Sequence, residues 1–316
     1  MKGRDTGDWR VGLVDRLKQH VTFLTQTIGE RHFGLPGSLD QTANYIDQEW
    51  REAKYDPVFQ GFSIQPPLIS RLRAKHRLSK KPISFKNVIA QLPGRSDEQI
   101  VIGAHYDTAF GTPGADDNAS GIAVLIEIAR LLKKIQLAHS APFNKSVTLA
   151  AFANEEPPFS RTSAMGSARF VKLALQRGEK IGFMLCLEML GFYTDQPNSQ
   201  SYPPFLKYFY PDRGDFIAIV GNLRSHSYVK RVKQVFQQET KVAVESLVAP
   251  RFVRGVDFSD HMNFWAAGIP AVMLTDTAFY RNPHYHQPSD TLQTLDFERM
   301  AEGTIGAASS ILTMAN

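Results

Sequence analysis

Short apolar runs alternate with helix-patterned segments over most of this chain, and that alternation narrows the folds open to it more than any other feature. The runs are Gln99–Ala104, Ser146–Phe152, Ile181–Met189, Phe216–Val220 and Ala271–Leu274. Each is too short for an ordinary helix and nearly continuous in apolar residues, which is how strands buried on both faces read. Between them lie amphipathic stretches. Asp117–Lys134 carries Ile122, Leu125, Ile126, Ala129 and Leu132 along one helical face, and Gly166–Gln176, Ser225–Gln238 and Leu295–Met314 have the same periodicity. Residues 8–28 open with another helix on Trp9, Leu13, Val14, Leu17, Val21 and Leu24. Leu35-Pro36-Gly37 then breaks the chain, and Ser38 suits the N-cap of a helix through Trp50. Val58–Ile64 and Asn87–Leu92 add two strands, the second ending at the turn signal Pro93-Gly94. Strands alternating with helices predict an α/β sandwich around a largely parallel sheet.

The chain has 316 residues, enough to bury a large core without cross-links. Its single cysteine, Cys186, excludes a disulfide framework and sits in an apolar run, as a small core residue would. The sequence shows no internal repeat and no linker, and is read as one domain over 1–316. No segment approaches a membrane span, and Met1–Arg10 lacks the apolar centre of a signal peptide. The chain therefore reads as cytoplasmic, although a trimmed export signal is compatible with it. The net charge of +5 is partly local, in Arg71, Arg73, Lys75, His76, Arg77, Lys80 and Lys81. No aromatic residues interleave with that cluster, so it is read as a solvated loop and no nucleic-acid partner is expected. Residues 194–214, rich in Pro, Tyr, Ser, Asp and Gly, form a long loop of the kind that often shapes a substrate pocket.

The polar residues just beyond the apolar runs carry the chemistry. They are His105-Tyr106-Asp107, Gly114–Gly121, Asn154-Glu155-Glu156, Leu187-Glu188-Met189 and His284-Tyr285-His286. Imidazoles and carboxylates at strand ends stand where open α/β sheets bind ligands. Hydrolytic zinc sites use those groups and leave one position open for water. Two ions about 3.5 Å apart also need a carboxylate that reaches both. Asp117, at the start of a predicted helix after a glycine-rich turn, suits such a bridge, and His105 offers an imidazole. Asp107 could fix that imidazole from behind. Side chains of adjacent residues on an extended segment diverge, so one of Glu155 and Glu156 can bind metal while the other carries protons. Glu188 would be costly among apolar residues without a partner, and a metal supplies one. His286 lies in a loop with Ser289-Asp290-Thr291, read as a cap for the next helix. Singly, each residue has an ordinary alternative as an N-cap, a strand-end histidine or a surface pair. Together at strand ends they point to metal-assisted hydrolysis.

In these motifs, with Ser259-Asp260-His261 and Asp290-Thr291, the stretch Asn87–Thr291 resembles the co-catalytic zinc aminopeptidases of the bacterial leucyl aminopeptidase type. That family also holds glutamate carboxypeptidase, glutaminyl cyclase and the transferrin receptor ectodomain. The resemblance implies a three-layer sandwich with a mixed, largely parallel central sheet flanked by helices, and two zinc ions per chain. It implies Asp117 as the bridge, His105 and Glu188 completing one site, Glu156 and His286 the other. Glu155 would be the general base and Asp107 would orient His105. The family often has aspartate where Glu188 stands. His284 competes with His286, and the spacing to Asp290-Thr291 favours His286. Asp260 and His261 match a segment near the active site and would support it. Tyr280, Arg281 and Tyr285 flank His286 and are candidates for the substrate pocket, with a surface position as the alternative for Arg281.

The activity so implied is that of a zinc-dependent exopeptidase, first of all an aminopeptidase acting on peptides through water activated by the metals. The alternatives are a one-zinc glutaminyl cyclase and a carboxypeptidase or dipeptidase, for which Arg281 would hold a substrate carboxylate. A binding protein without activity would be expected to have lost ligands or the base, and this chain keeps them all. No membrane partner is expected, and the sequence leaves the oligomeric state open.

Overall fold

The computed structural model describes residues 9–65, 82–138 and 143–316. The basic cluster at Arg71–Lys81 lies outside these residues. Eight strands form one sheet: β1 (Val58–Ile64), β2 (Ile83–Leu92), β3 (Ser96–His105), β4 (Lys145–Phe152), β5 (Lys180–Glu188), β6 (Phe216–Gly221), β7 (Ala243–Val248) and β8 (Ala271–Thr275). Their order across the sheet is β1-β2-β4-β3-β5-β8-β6-β7. The central pairings β4/β3, β3/β5 and β5/β8 are parallel, as is β6/β7. The pairings β1/β2, β2/β4 and β6/β8 are antiparallel. The sheet is therefore mixed, with a parallel centre.

Strand alternation splits the core into two layers. Ile100, Ile102 and Ala104 of β3, with Phe183, Leu185 and Leu187 of β5, face one side. There they pack on α1 (Leu13–Thr22), α2 (Ser38–Glu52), α3 (Gly121–Ala138), α5 (His226–Glu239) and α7 (Phe297–Ala315). Val101, Met184 and Cys186 face the other side with Phe170 of α4 (Gly166–Gln176) and Phe264 of α6 (His261–Ala266). The period of two along each strand explains why both faces need apolar residues and why the runs read as continuous. Cys186 is fully buried in the second layer.

Several boundaries differ from the sequence reading. Ser38 is the first residue of α2 and does not cap it. Gly37 takes the cap position at φ 85°, while the Ser38 hydroxyl donates to the carbonyls of His32 and Leu35. The helix expected from Asp117 begins only at Gly121. Asp117 (φ −105°, ψ 89°) and Asn118 (φ −133°, ψ 43°) are outside helical geometry, within a wide turn over Ala115–Ser120. The segment Ser289-Asp290-Thr291 does not cap α7. Asp296 does, accepting from the Arg299 amide, and the Asp290 carboxylate is engaged elsewhere. Two elements escaped the pattern. The edge strand β7 carries Glu245 and Ser246 and is only half-buried, and α6 has six residues, too few to show a helical period.

Candidate active site

Parallel strands deliver their C-terminal ends to one edge of a sheet. His105 is the last residue of β3 and Glu188 the last of β5, and these strands are neighbours. Glu155 and Glu156 follow β4, on the other side of β3. Asp117 comes from the turn before α3, and His286 from the loop after β8. His105 Nε2 lies 3.3 Å from Asp117 Oδ1 and 3.3 Å from Glu188 Oε2. His286 Nε2 lies 3.2 Å from Asp117 Oδ2 and 3.1 Å from Glu156 Oε1. The two oxygens of Asp117 thus face two different groups, His105 with Glu188 and His286 with Glu156.

His105 Nε2 and Asp117 Oδ1 are buried without a hydrogen-bond partner. An unpaired buried imidazole nitrogen and carboxylate oxygen, pointing at one spot, are costly by themselves and fit a cation between them. The donor set of imidazole nitrogen and carboxylate oxygen is the one zinc takes in hydrolases. In both groups a metal would replace the protons that hold the like charges together. Burial pulls the His286 imidazole down, but the carboxylates of Asp117 and Glu156 outweigh it and hold the pKa up at about 11. For His105, too, burial is outweighed, by Glu188, Asp107 and Asp117. Asp117 answers in kind. Burial raises its carboxyl, and the two imidazoles bring it well below the usual range.

Four side chains hold this centre from behind. The Asp107 carboxylate accepts the amides of Glu155 and Glu156, each at 3.0 Å, and its carbonyl lies 3.2 Å from His105 Nδ1. One aspartate therefore positions an imidazole and two glutamates. Asp290 accepts the amides of Asp116 and Asp117 at 2.9 and 3.1 Å. Asn118 accepts the amides of Gly121 and Met189 and donates to the carbonyl of Leu187, tying the turn to the end of β5. Ser259 donates to Glu188 Oε2 at 2.6 Å. Gly114 stands at φ 58°, where an added Cβ would lie 2.3 Å from the Asp117 carbonyl, so the turn requires glycine.

A cavity of about 120 Å³ opens beside the cluster. Asp117, Glu155 and Glu188 line its acidic end, and Tyr202, Phe216, Phe258, Met273 and Tyr285 are among its largely apolar walls. The two glutamates do diverge: Glu156 lies in the His286 group while Glu155 faces the cavity. Burial, with the nearby Glu156, Glu188 and Asp260, keeps the Glu155 carboxyl well above the ordinary range despite His105.

Comparison with known proteins gives the arrangement its relatives. Residues 87–309 match peptidase family M28. The chain belongs to peptidase family M28. It is 40% identical to the Escherichia coli K12 protein YfbL over 300 residues, covering 91% of this chain and 84% of that one. It is 29% identical to a probable leucine aminopeptidase of Trichophyton verrucosum over 68% of this chain and 54% of that one, so it spans about half the length of that relative. Its fold is that of the Bacillus subtilis zinc aminopeptidase BSAP (TM-score 0.71, 16% identity, 96% of this chain and 95% of that one). A glutaminyl cyclase of Fimbriiglobus ruber also shares it (TM-score 0.68, 20% identity, 95% and 94%).

Within this M28 chain the remaining expected residues divide. Tyr280 and Tyr285 line the cavity, and the Tyr285 ring stacks on His286 with centroids 3.8 Å apart. Arg281 does not line it. Its buried guanidinium donates to Gln200 Oε1 and the Phe216 carbonyl, so it braces the 194–214 loop against β6. The loop itself does shape the cavity, through residues from Gln200 to Tyr210. His284 stands apart from the cluster, with Nδ1 2.9 Å from the Ser289 hydroxyl. Asp260 is buried behind His105 and Glu188, and burial lifts its carboxyl to about 7. His261 is turned into the packing of α6, with Nε2 2.8 Å from the Val256 carbonyl and its ring edge-on to Trp265. Arg31 escaped notice in the sequence. It is fully buried and donates to the carbonyls of Tyr106, Pro113 and Gly114, fastening the segment after β3 to the turn that carries Asp117. Nothing in the sequence around it distinguishes it from a surface arginine.

Proposed function

We propose that the chain is a zinc-dependent aminopeptidase that binds two ions per chain and removes N-terminal residues from peptides. The observation that carries the reading is Asp117, whose two oxygens serve two separate groups at the mouth of an apolar cavity. Asp117, His105 and Glu188 would hold one ion, and Asp117, Glu156 and His286 the other. Bound there, the ions supply Lewis acidity and lower the pKa of water.

The rest is done by side chains of this chain. The acidic end of the cavity attracts a free α-ammonium group, which favours substrates at their N-termini. The apolar walls take the side chain of the first residue. Glu155, facing the cavity beside both groups, takes the proton from the attacking water and returns it to the leaving amide nitrogen. Tyr285 is held by stacking on His286 beside the same space and offers a hydroxyl toward the substrate carbonyl.

The test joins metal content to turnover on one sample. Two zincs per chain, with cleavage of aminoacyl substrates and none of their N-blocked forms, are expected. Glu155→Gln should keep the zinc and lose nearly all turnover, and retention of most wild-type turnover would remove Glu155 from the role of base. One zinc with cyclisation of a glutaminyl peptide would establish the cyclase alternative instead.

A further inference from the structure

The cavity continues well past the cluster. Glu188 of β5, Met273 of β8, Phe216 and Ala218 of β6 and Leu247 of β7 all line it, so it crosses four neighbouring strands. Strands lie about 4.8 Å apart, which makes the three steps from β5 to β7 about 14 Å. Two charged residues line it besides the cluster. One is Arg254, exposed, with its guanidinium 5.0 Å from the Phe279 ring centroid. The other is Glu245 on β7. Its register partner is Ala218, and Ala218, Val220 and Leu247 all belong to the layer on the cavity side of the sheet. Alternation along β7 therefore turns Glu245 to the same side. Its charge also acts, after burial, in raising the Tyr210 phenol on the loop across from it. The one ion-pair partner of Glu245 among the described residues is Lys233 Nζ at 3.6 Å, too long for a hydrogen bond, with both side chains about a third exposed. The carboxylate keeps free acceptor capacity.

We propose that Glu245 makes the cavity selective for N-terminal residues with a long apolar stem and a cationic tip, arginine and lysine, over leucine and phenylalanine. The proposal rests on the aminopeptidase reading. An extended arginine side chain of about 7 Å and a charge-assisted hydrogen bond of about 2.8 Å cover about 10 Å of the distance from β5 to β7. Apolar walls suit the methylene stem of either cation. A leucine would fill the near part and leave the carboxylate end unused.

The experiment compares kcat/KM on arginyl, lysyl, leucyl and phenylalanyl chromogenic substrates for the zinc-loaded wild type, Glu245→Gln and Lys233→Met. The wild type should prefer arginyl and lysyl substrates. Glu245→Gln should lower kcat/KM on those two about tenfold or more and leave leucyl turnover within about twofold. Lys233→Met, which frees the carboxylate, should raise arginyl turnover. If Glu245 only pairs with Lys233 to hold the edge strand, the two variants would behave alike on every substrate, and the proposal falls. A wild type that cleaves leucyl substrates and not arginyl ones would overturn it while the aminopeptidase reading stood. Absence of turnover on all free-amine substrates would remove both. Calorimetric binding of free L-arginine and L-leucine gives a readout independent of turnover: arginine should bind more tightly, and Glu245→Gln should abolish that difference.

Discussion

Asp107 joins the two halves of the site, and replacing it by asparagine tests that geometry directly. Its two carboxylate oxygens accept the amides of Glu155 and Glu156, each at 3.0 Å, in a buried setting. An asparagine keeps one acceptor oxygen and turns an NH2 group toward the second amide. One buried N–H is left without a partner, at a cost of about 1–3 kcal/mol. The segment relaxes to relieve that contact, and Glu155 moves with it. A displacement of about 1 Å at a catalytic group costs about 100-fold in rate. Asp107→Asn should therefore lower stability in urea denaturation by that 1–3 kcal/mol and lower kcat about 100-fold. The His105 contact to the Asp107 backbone carbonyl survives, so zinc affinity should fall by less than about tenfold. A variant that is fully loaded with zinc and turns over within about twofold of wild type would show that Asp107 does not position Glu155.

Three further outcomes follow from contacts around the site and in the helical layer. Ser259→Ala removes the 2.6 Å bond to Glu188 and should weaken zinc binding about 10–100-fold in chelator competition; unchanged affinity would dismiss a role for Ser259 in holding that ligand. Asp257 is buried and accepts both arms of Arg161, at 3.0 and 2.9 Å, tying the segment after Glu155–Glu156 to the Phe258–Ser259 wall. Asp257→Ala leaves that wall unanchored and should raise KM more than it lowers kcat; equal loss in both would place the effect at the catalytic groups instead. Glu127 is fully buried in the helical layer, where burial raises its carboxyl but the bonds to His20 and Arg16 outweigh it and set its pKa below 4.5. A group depressed on folding adds stability that is present above its unfolded pKa and lost as pH falls through the folded one. The stability gap between wild type and Glu127→Gln should thus be full at neutral pH and shrink in acid, and a gap independent of pH would contradict the ion pair.

Much of this protein was legible in the chain itself because it depends on local pattern. The apolar runs gave the strands β3, β4, β5, β6 and β8 to within a few residues, since residues buried on both faces must be apolar whatever surrounds them. The polar residues beyond those runs brought out the segments that hold the cluster, because a buried carboxylate or imidazole at a strand end needs a partner, and the resemblance to the zinc aminopeptidases chose among them. Sequence could not place Asp290, Asn118 and Arg31, whose partners lie up to 174 residues away. It also misjudged Ser38 and the start of α3, where a glycine and a distant carboxylate outweigh helix-start preferences. Arg281 and His261 look reactive in one dimension and are turned inward in three. Only the folded sheet decides that β7, a weakly patterned edge strand, brings Glu245 to the far end of the cavity. The division has a physical cause. Burial by neighbours in sequence is written in periodicity, whereas a side chain's partners across the sheet depend on strand order and register, which no local pattern records.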